Sequence, residues 1–203
     1  NNIENKNAKP SNVFVVANTA AGKSTLLTKL LCTFDKSGKN WASDRKIVAF
    51  TLHQGDKSMA AARKCHKSNW IDIDLDKITG PIHLSAIPKG SLIIMDDVLQ
   101  LDRSDPRRGF IYDLLNRVVT VGRHHTGKRG GTTRGIEVCV LTHYGSAREE
   151  ALTRLLKMNC LSCFKRLVWY FLSMPKYLDK PFDCLSRVIL HGAYWDTVEC
   201  QHG

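Results

Sequence analysis

The feature that most constrains this chain is a short loop between a buried-type strand and an amphipathic helix. The strand is the apolar run Val13–Ala17, and the helix is indicated by leucines at helical spacing at positions 26, 27, 30 and 31. Residues 17–24 between them read ANTAAGKS, the pattern GxxxxGK[ST] with Ala17 in place of the first glycine. A buried strand that runs directly into a helix predicts an α/β fold with a mostly parallel sheet.

A loop of this kind is suited to binding phosphate. Its small residues leave successive N–H groups accessible, and the positive end of the helix dipole lies behind them. We expect Lys23 to reach the β and γ phosphates of a nucleotide and the Ser24 hydroxyl to bind Mg²⁺. The alternative is that the sequence Gly22-Lys23-Ser24 occurs in this loop by chance, and the buried strand before it and the amphipathic helix after it disfavour that alternative. The predicted nucleotide-binding residues are Ala17, Asn18, Thr19, Ala20, Ala21, Gly22, Lys23, Ser24 and Thr25.

A second buried-type strand ends in two acids. The run Leu92–Met95 is followed by Asp96 and Asp97. We expect Asp96 to serve Mg²⁺, mostly through water or Ser24, and Asp97 to orient and deprotonate an attacking water. The alternative is that the pair caps the following helix. The long interval from Lys23 to Asp96 also predicts a sheet with a strand inserted between the phosphate-loop strand and the acidic strand.

Further elements alternate along the chain and complete the α/β pattern. Buried-type strands are predicted at Ile47–Leu52 and Ile136–Leu141, and a helix from Pro106 to a stop at Gly122. A capping box at Ser146 and Glu149 predicts one more helix. The predicted division is a flexible lead-in at 1–12, a phosphate-loop core at 13–174 and a C-terminal extension at 175–203.

The chain is strongly basic, with 30 Lys and Arg against 19 Asp and Glu and a formal net charge of +11. This charge favours a nucleic-acid partner. The segment His124–Gly135 has no apolar anchor, so we expect an irregular loop in which Lys128, Arg129 and Arg134 follow a phosphate backbone without reading bases. The alternative is a solvated loop. A second basic cluster comprises Lys57, Arg63, Lys64 and Lys67.

Together with Asp96-Asp97, the sequences Gly122-Arg123-His124 and Val140-Leu141-Thr142-His143 give an order of motifs that resembles the FtsK/HerA superfamily. The similarity is to the genome-packaging ATPases of double-stranded DNA viruses, related to poxvirus, giant-virus and virophage enzymes, and covers roughly Val13–Asn159. It implies a RecA-like P-loop core of the ASCE type that uses ATP and Mg²⁺ and forms a homo-oligomeric ring. It also implies translocation of double-stranded DNA into a preformed capsid, beside packaging proteins at the capsid vertex or membrane.

The resemblance also assigns two residues that the nucleotide motifs do not. Arg123 corresponds to an arginine that reaches the γ-phosphate in the neighbouring subunit; Arg148 and Arg154 are competitors, and capping of helix carbonyls is the alternative. His143 stands where the family has glutamine. It is either a substitute sensor of the γ-phosphate or a strand-end residue.

Two other functions remain open from the sequence. One is a nucleotide kinase with His124–Gly135 as a lid, which the paired acids disfavour. The other is a scaffold that binds nucleotide and nucleic acid without sustained turnover, which the alanine and histidine departures allow.

The cysteines and the hydropathy bear on location. Seven irregularly spaced cysteines are typical of reduced thiols. Cys160-x-x-Cys163 has the spacing of half a zinc site, but no second CxxC or HxxxH motif is placed to complete it. Cys184, His191 and Cys200 could contribute in space; the alternative is that they are buried thiols and a surface imidazole. No apolar run reaches the roughly 18 to 20 residues of a membrane span, and no signal peptide is apparent. We expect a soluble protein of the host cytoplasm or virus factory, or associated with the virion.

Overall fold

The computed structural model describes residues 12–17, 20–34, 38, 40–52, 57–129, 132–143, 167–172 and 188–190. The helices are α1 (Lys23–Cys32), α2 (Ala60–Cys65) and α3 (Pro106–Val121). The strands, in chain order, are β1 (Asn12–Ala17), β2 (Ile47–Thr51), β3 (Trp70–Ile73), β4 (Leu92–Asp96), β5 (Gly127–Arg129), β6 (Thr132–Arg134), β7 (Glu137–Thr142), β8 (Leu167–Leu172) and β9 (Val188–Leu190). The predicted capping box and its helix lie outside the described residues.

The main sheet has the strand order β3-β2-β4-β7-β1-β8-β9. Each neighbouring pair is parallel except β8 with β9, which is antiparallel. The strand between β1 and β4 is therefore β7, which follows both in sequence, while β2 lies on the far side of β4. The inserted strand that the sequence predicts is present, and this order is that of a RecA-like P-loop α/β fold.

Helices cover both faces of the sheet, as expected for continuous apolar strands. Alternate strand residues such as Phe14, Val48 and Val140 pack on one face with the buried side of α3. On the other face, Val15, Ala49 and Leu141 pack with Leu27 and Leu31 of α1 and with α2. Strands with both faces buried explain why their sequences are uninterrupted by polar residues.

Helix α3 begins as its sequence predicts. Asp105 is the N-cap residue, its Oδ1 accepts a hydrogen bond from the Arg107 N–H at 2.9 Å, and Pro106 occupies the first turn. Within the described helices, none is long and apolar enough to cross a membrane.

The prediction that His124–Gly135 is irregular is wrong. Strands β5 and β6 form an antiparallel ribbon, with Lys128 opposite Thr133. A Cβ on Gly127 would lie 2.4 Å from the Lys89 carbonyl oxygen, so only glycine allows the backbones to pack this closely. The Gly90 N–H also donates to the His125 carbonyl at 3.1 Å. Backbone packing thus replaces the apolar anchor that the sequence lacks.

A buried ion pair ties the amino ends of the strands together. The Arg45 guanidinium lies 2.6 Å from Glu137 and donates to the carbonyl oxygens of Gly90, Ser91 and Gly135. Trp41 Nε1 donates to the same Glu137 oxygen at 2.6 Å. Burial lowers the pKa of Arg45, and the adjacent Glu137 carboxylate opposes that effect. The ribbon's base, β4 and β7 therefore share one polar cluster.

Candidate nucleotide site

The loop between β1 and α1 lies at the carboxyl edge of the parallel sheet, where ligands of α/β proteins bind. Asn18 and Thr19 lie outside the described residues. Ala20 and Gly22 have positive φ angles of 60° and 87°, and Gly22 is the N-cap residue of α1. The first turn of α1 contains no acidic residue, so no side chain there competes for the positive end of its dipole. The residues present are suited to binding an anion.

Lys23 is the first residue of α1, and its side chain is 8% exposed. Its Nζ lies 3.2 Å from His143 Nε2 and 3.8 Å from Asp97 Oδ1. His143 directly follows β7, and Asp97 directly follows β4. Three elements distant in sequence therefore bring together Lys23, Asp97 and His143 at one edge of the sheet.

The two acids occupy different backbone positions. Asp96 is the last residue of β4, is 6% exposed, and lies opposite Thr51 of β2 and Leu141 of β7. Asp97 leaves the strand with φ of 55°, and its N–H donates to the Leu141 carbonyl oxygen at 3.0 Å. Its side chain does not cap the following 3₁₀ turn, Val98–Gln100. The Asp97 carboxylate therefore does not act as a helix cap, which is the alternative to a role in the site.

His143 contacts both charged partners through one nitrogen. Its Nε2 is 3.2 Å from Lys23 Nζ and 3.3 Å from Asp97 Oδ2. A ring nitrogen either accepts a hydrogen bond through its lone pair or donates its proton. His143 Nε2 can therefore accept from Lys23 or donate to Asp97, but not both at once. Two hydrogen-bonding arrangements are thus available within the cluster.

Gln100 is a site residue that the sequence reasoning missed. Its side-chain Nε2 donates to Asp97 Oδ1 at 2.8 Å, and its backbone N–H donates to the Asp97 carbonyl at 2.9 Å. The available signal is its position three residues after Asp97, which a single turn brings back to the acid. Gln100 holds the Asp97 oxygen that does not face His143.

Ser24 and Asp96 are the residues suited to Mg²⁺, since a hydroxyl and a carboxylate are oxygen ligands of the kind that this cation takes. Ser24 follows Lys23 in the first turn of α1 and is half-buried, while Asp96 ends β4 at the same edge. Thr25, the last predicted nucleotide-binding residue, is exposed on α1.

Arg123 lies at the opposite edge of the sheet. It belongs to the 3₁₀ turn Gly122–His124, whose first carbonyl accepts the Ile136 N–H at 2.9 Å, just before β7 begins. The six residues of β7 separate this point from His143, a distance of about 20 Å. Arg123 is exposed, and its Nε donates to His124 Nε2 at 3.0 Å rather than to a helix carbonyl. It therefore does not reach the phosphate loop of its own chain.

The basic ribbon lies at the same edge as Arg123. Lys128 is exposed, whereas Arg134 is half-buried and donates to the Trp41 carbonyl at 3.2 Å. The side chain of Arg129 lies outside the described residues, as do the competitors Arg148 and Arg154.

In the second basic cluster, Arg63 forms an ion pair with Asp72 at 3.2 Å and lies over the ring of Trp70 at 5.7 Å. Lys57, Lys64 and Lys67 are exposed. Cys160 and Cys163 lie outside the described residues, and the described part of the chain contains no cluster of three or more metal-ligating side chains.

Neither the protein-family models nor the curated protein sequences give a match to the chain. Among solved structures, the N-terminal domain of zonular occludens toxin from Neisseria meningitidis is similar over 83% of this chain and 80% of that chain, with a TM-score of 0.44 and 14% identity. The cytoplasmic domain of the type VII secretion ATPase EccC from Thermomonospora curvata is similar over 81% of this chain, with a TM-score of 0.44 and 12% identity. The chain covers only 19% of that EccC chain. The strand order, the phosphate loop and the acidic strand end are features of this chain itself, and they give it a RecA-like P-loop α/β fold.

Proposed function

We propose that the chain is a Mg²⁺-dependent ATPase that moves double-stranded DNA, packaging a viral genome into a preformed capsid as a homo-oligomeric ring. The observation that carries the ATPase part is the meeting of Lys23, Asp97 and His143 beside the phosphate loop. The ring, the DNA and the capsid rest on the order of motifs in the sequence.

In the proposed reaction, MgATP supplies the phosphoryl group and a counter-charge for its oxygens. The loop N–H groups and Lys23 would bind the phosphates, and Ser24 and Asp96 would hold the metal. When the phosphates bind, the Lys23 ammonium would move from Asp97 to the phosphate oxygens, because these carry more negative charge than one carboxylate. Asp97 then orients the attacking water and accepts its proton, and His143 hydrogen-bonds the terminal phosphate.

The position of Arg123 supports action across a subunit interface. A head-to-tail ring places one face of each subunit against a different face of the next. Because Arg123 lies at the edge opposite its own phosphate loop, it is available to a neighbour's nucleotide and not to its own. Lys128, Arg129 and Arg134 are the proposed DNA contacts.

The test is steady-state ATP hydrolysis with and without double-stranded DNA, comparing the wild type with Asp97→Asn. Asparagine tolerates the positive φ at this position and still accepts from Gln100, so the fold is retained. We expect hydrolysis to fall by about 10² to 10⁴, with nucleotide binding preserved. Transfer of phosphate to an added nucleoside monophosphate would instead identify a kinase, and tight binding without turnover would identify a scaffold.

A further inference from the structure

Two packed helices end side by side, and the last residue of each is a cysteine. Helix α1 ends at Cys32 and α2 at Cys65. His66 Nε2 lies 2.7 Å from the Leu31 carbonyl oxygen, which ties the residue after α2 to the last turn of α1. Cys32 Sγ lies 3.9 Å from the Ala61 carbonyl oxygen, and Ala61 is four residues before Cys65 on the same helix. These two contacts bring the ends of the helices together, and the side chains of Cys32 and Cys65 interact directly there.

The two thiols differ in exposure. Cys65 is exposed and Cys32 is half-buried, whereas Cys139 is fully buried in β7. Burial raises the pKa of Cys32 to about 11, with a further contribution from the adjoining Cys65 side chain. Cys65 is therefore the thiol that a reagent in solution meets first, and Cys32 is within reach of it.

We propose that Cys32 and Cys65 form a reversible redox site that low-molecular-weight disulfides, of the glutathione class, oxidise to an intramolecular disulfide. The Cys65 thiolate attacks one sulfur of the reagent, forming a mixed disulfide and releasing one reagent thiolate, which takes up a proton. Cys32 then loses its proton, its sulfur attacks Cys65 Sγ, and the second reagent thiol leaves. Two protein thiols are oxidised, and one reagent disulfide is reduced to two thiols.

This site does not depend on the proposed ATPase activity, since neither cysteine touches the nucleotide site. The disulfide would close a loop of about 33 residues and join the far end of α1, the helix that carries Lys23, to α2. Loop closure restricts the unfolded chain, so the oxidised protein should unfold at a higher temperature than the reduced one.

The test is to equilibrate the full-length chain in glutathione buffers of increasing oxidised fraction, block free thiols by alkylation, and map tryptic peptides by mass spectrometry. Trypsin releases Cys32 in the peptide 30–36 and Cys65 in the peptide 65–67. We expect these two peptides to become joined, and dithiothreitol to separate them and lower the melting temperature to that of the reduced protein.

Two single substitutions separate the steps. In Cys32→Ser the resolving thiol is absent, so we expect Cys65 to accumulate as a mixed disulfide with glutathione. In Cys65→Ser we expect Cys32 to react with oxidised glutathione at least about tenfold more slowly than Cys65 does in Cys32→Ser, because Cys32 is less exposed and its pKa is raised. A urea-unfolded sample is the control, because there pairing should be distributed among the seven cysteines. Glutathionylated Cys65 without a joined peptide in the wild type, or the same mixture of pairings in native and unfolded protein, would overturn the proposal.

Discussion

Asp96, which ends β4, and Asp97, which follows it, differ in position through one backbone torsion. Asp96 continues the strand and remains buried, whereas the left-handed conformation of Asp97 turns its carboxylate toward His143 and Lys23. Positive φ at a non-glycine residue costs roughly 1 to 3 kcal/mol and persists where the surroundings hold it. Here the Leu141 carbonyl and Gln100 hold it in place. This separation fits the two roles proposed for them, metal ligand for Asp96 and base for Asp97.

Gln100 is expected to be a positioning residue for this base. In Gln100→Ala the Asp97 carboxylate loses its 2.8 Å hydrogen bond and is less firmly oriented, although its contacts with Lys23 and His143 remain. Hydrogen bonds to charged groups contribute about 1.5 to 3 kcal/mol, so we expect kcat for ATP to fall by about tenfold or more, with KM little changed. Steady-state kinetics measures both constants.

The control for this prediction is Asn116→Ala, which removes an exposed amide from α3 away from the site. An equal fall in kcat in both variants, or a change in KM with kcat unchanged, would show that Gln100 does not position Asp97. Equal melting temperatures for wild type and Gln100→Ala would exclude general unfolding as the cause.

The parts of the candidate site that lie in contiguous sequence motifs could be predicted from the sequence. The phosphate loop and the acid pair are contiguous motifs, and continuous apolar runs marked β1, β2, β4 and β7 because both faces of these strands are buried. The ribbon β5–β6 was missed because its packing depends on Gly127 against the Lys89 carbonyl, a backbone contact with no hydropathy signal. Gln100 was missed because its role depends on a single turn after Asp97.

At the scale of elements, the ion pair between Arg45 and Glu137 connects segments that are far apart in the sequence, and no sequence motif predicts this connection. The partners are 92 residues apart and are 2% and 5% exposed. A buried ion pair is costly to form and more costly to break, since removing one partner leaves the other charge unpaired. The ribbon, β4 and β7 therefore depend on Arg45 for their shared position.

We expect Arg45→Met to lower the free energy of unfolding by about 3 to 5 kcal/mol. Three carbonyl oxygens lose the hydrogen bond from Arg45, and the Glu137 carboxylate loses its cation and keeps the Trp41 donor, while the volume of the side chain is nearly kept. The matched control is Arg117→Met on α3, where the ion pair with Asp113 is exposed and contributes less than about 1 kcal/mol. Urea unfolding curves measure both variants. A loss for Arg45→Met no larger than that for Arg117→Met would contradict this account.

At the scale of the whole molecule, the sheet separates two kinds of chemistry. The proposed nucleotide residues lie at its carboxyl edge, and Arg123 and the basic ribbon lie at its amino edge. The proposed motor would have to couple nucleotide binding to a second surface, and the parallel strands connect these two edges. The ribbon is the proposed DNA-facing surface.

Lys128→Glu is expected to weaken binding of double-stranded DNA equally across sequences, because a phosphate contact carries no base information. Fluorescence anisotropy at several salt concentrations measures the affinity, and the slope of log K against log salt should fall by about 1. Lys77→Glu makes the same charge change beyond the carboxyl end of β3 and should have little effect. If Lys77→Glu weakens binding as much as Lys128→Glu, net charge rather than the ribbon determines affinity.

The ring itself is tested by mixing two inactive proteins. Arg123→Ala retains Asp97 but offers no arginine to a neighbour, and Asp97→Asn offers the arginine but has no base. An arginine supplied in trans contributes about 10³ to 10⁵ in rate, so each variant alone should be nearly inactive. In equal mixtures, roughly a quarter of head-to-tail interfaces pair an intact base with an intact arginine. Hydrolysis should therefore recover to about a quarter of the wild-type rate. No recovery, with exchange of subunits shown by fluorescence transfer between labelled chains, would mean that Arg123 does not act across the interface.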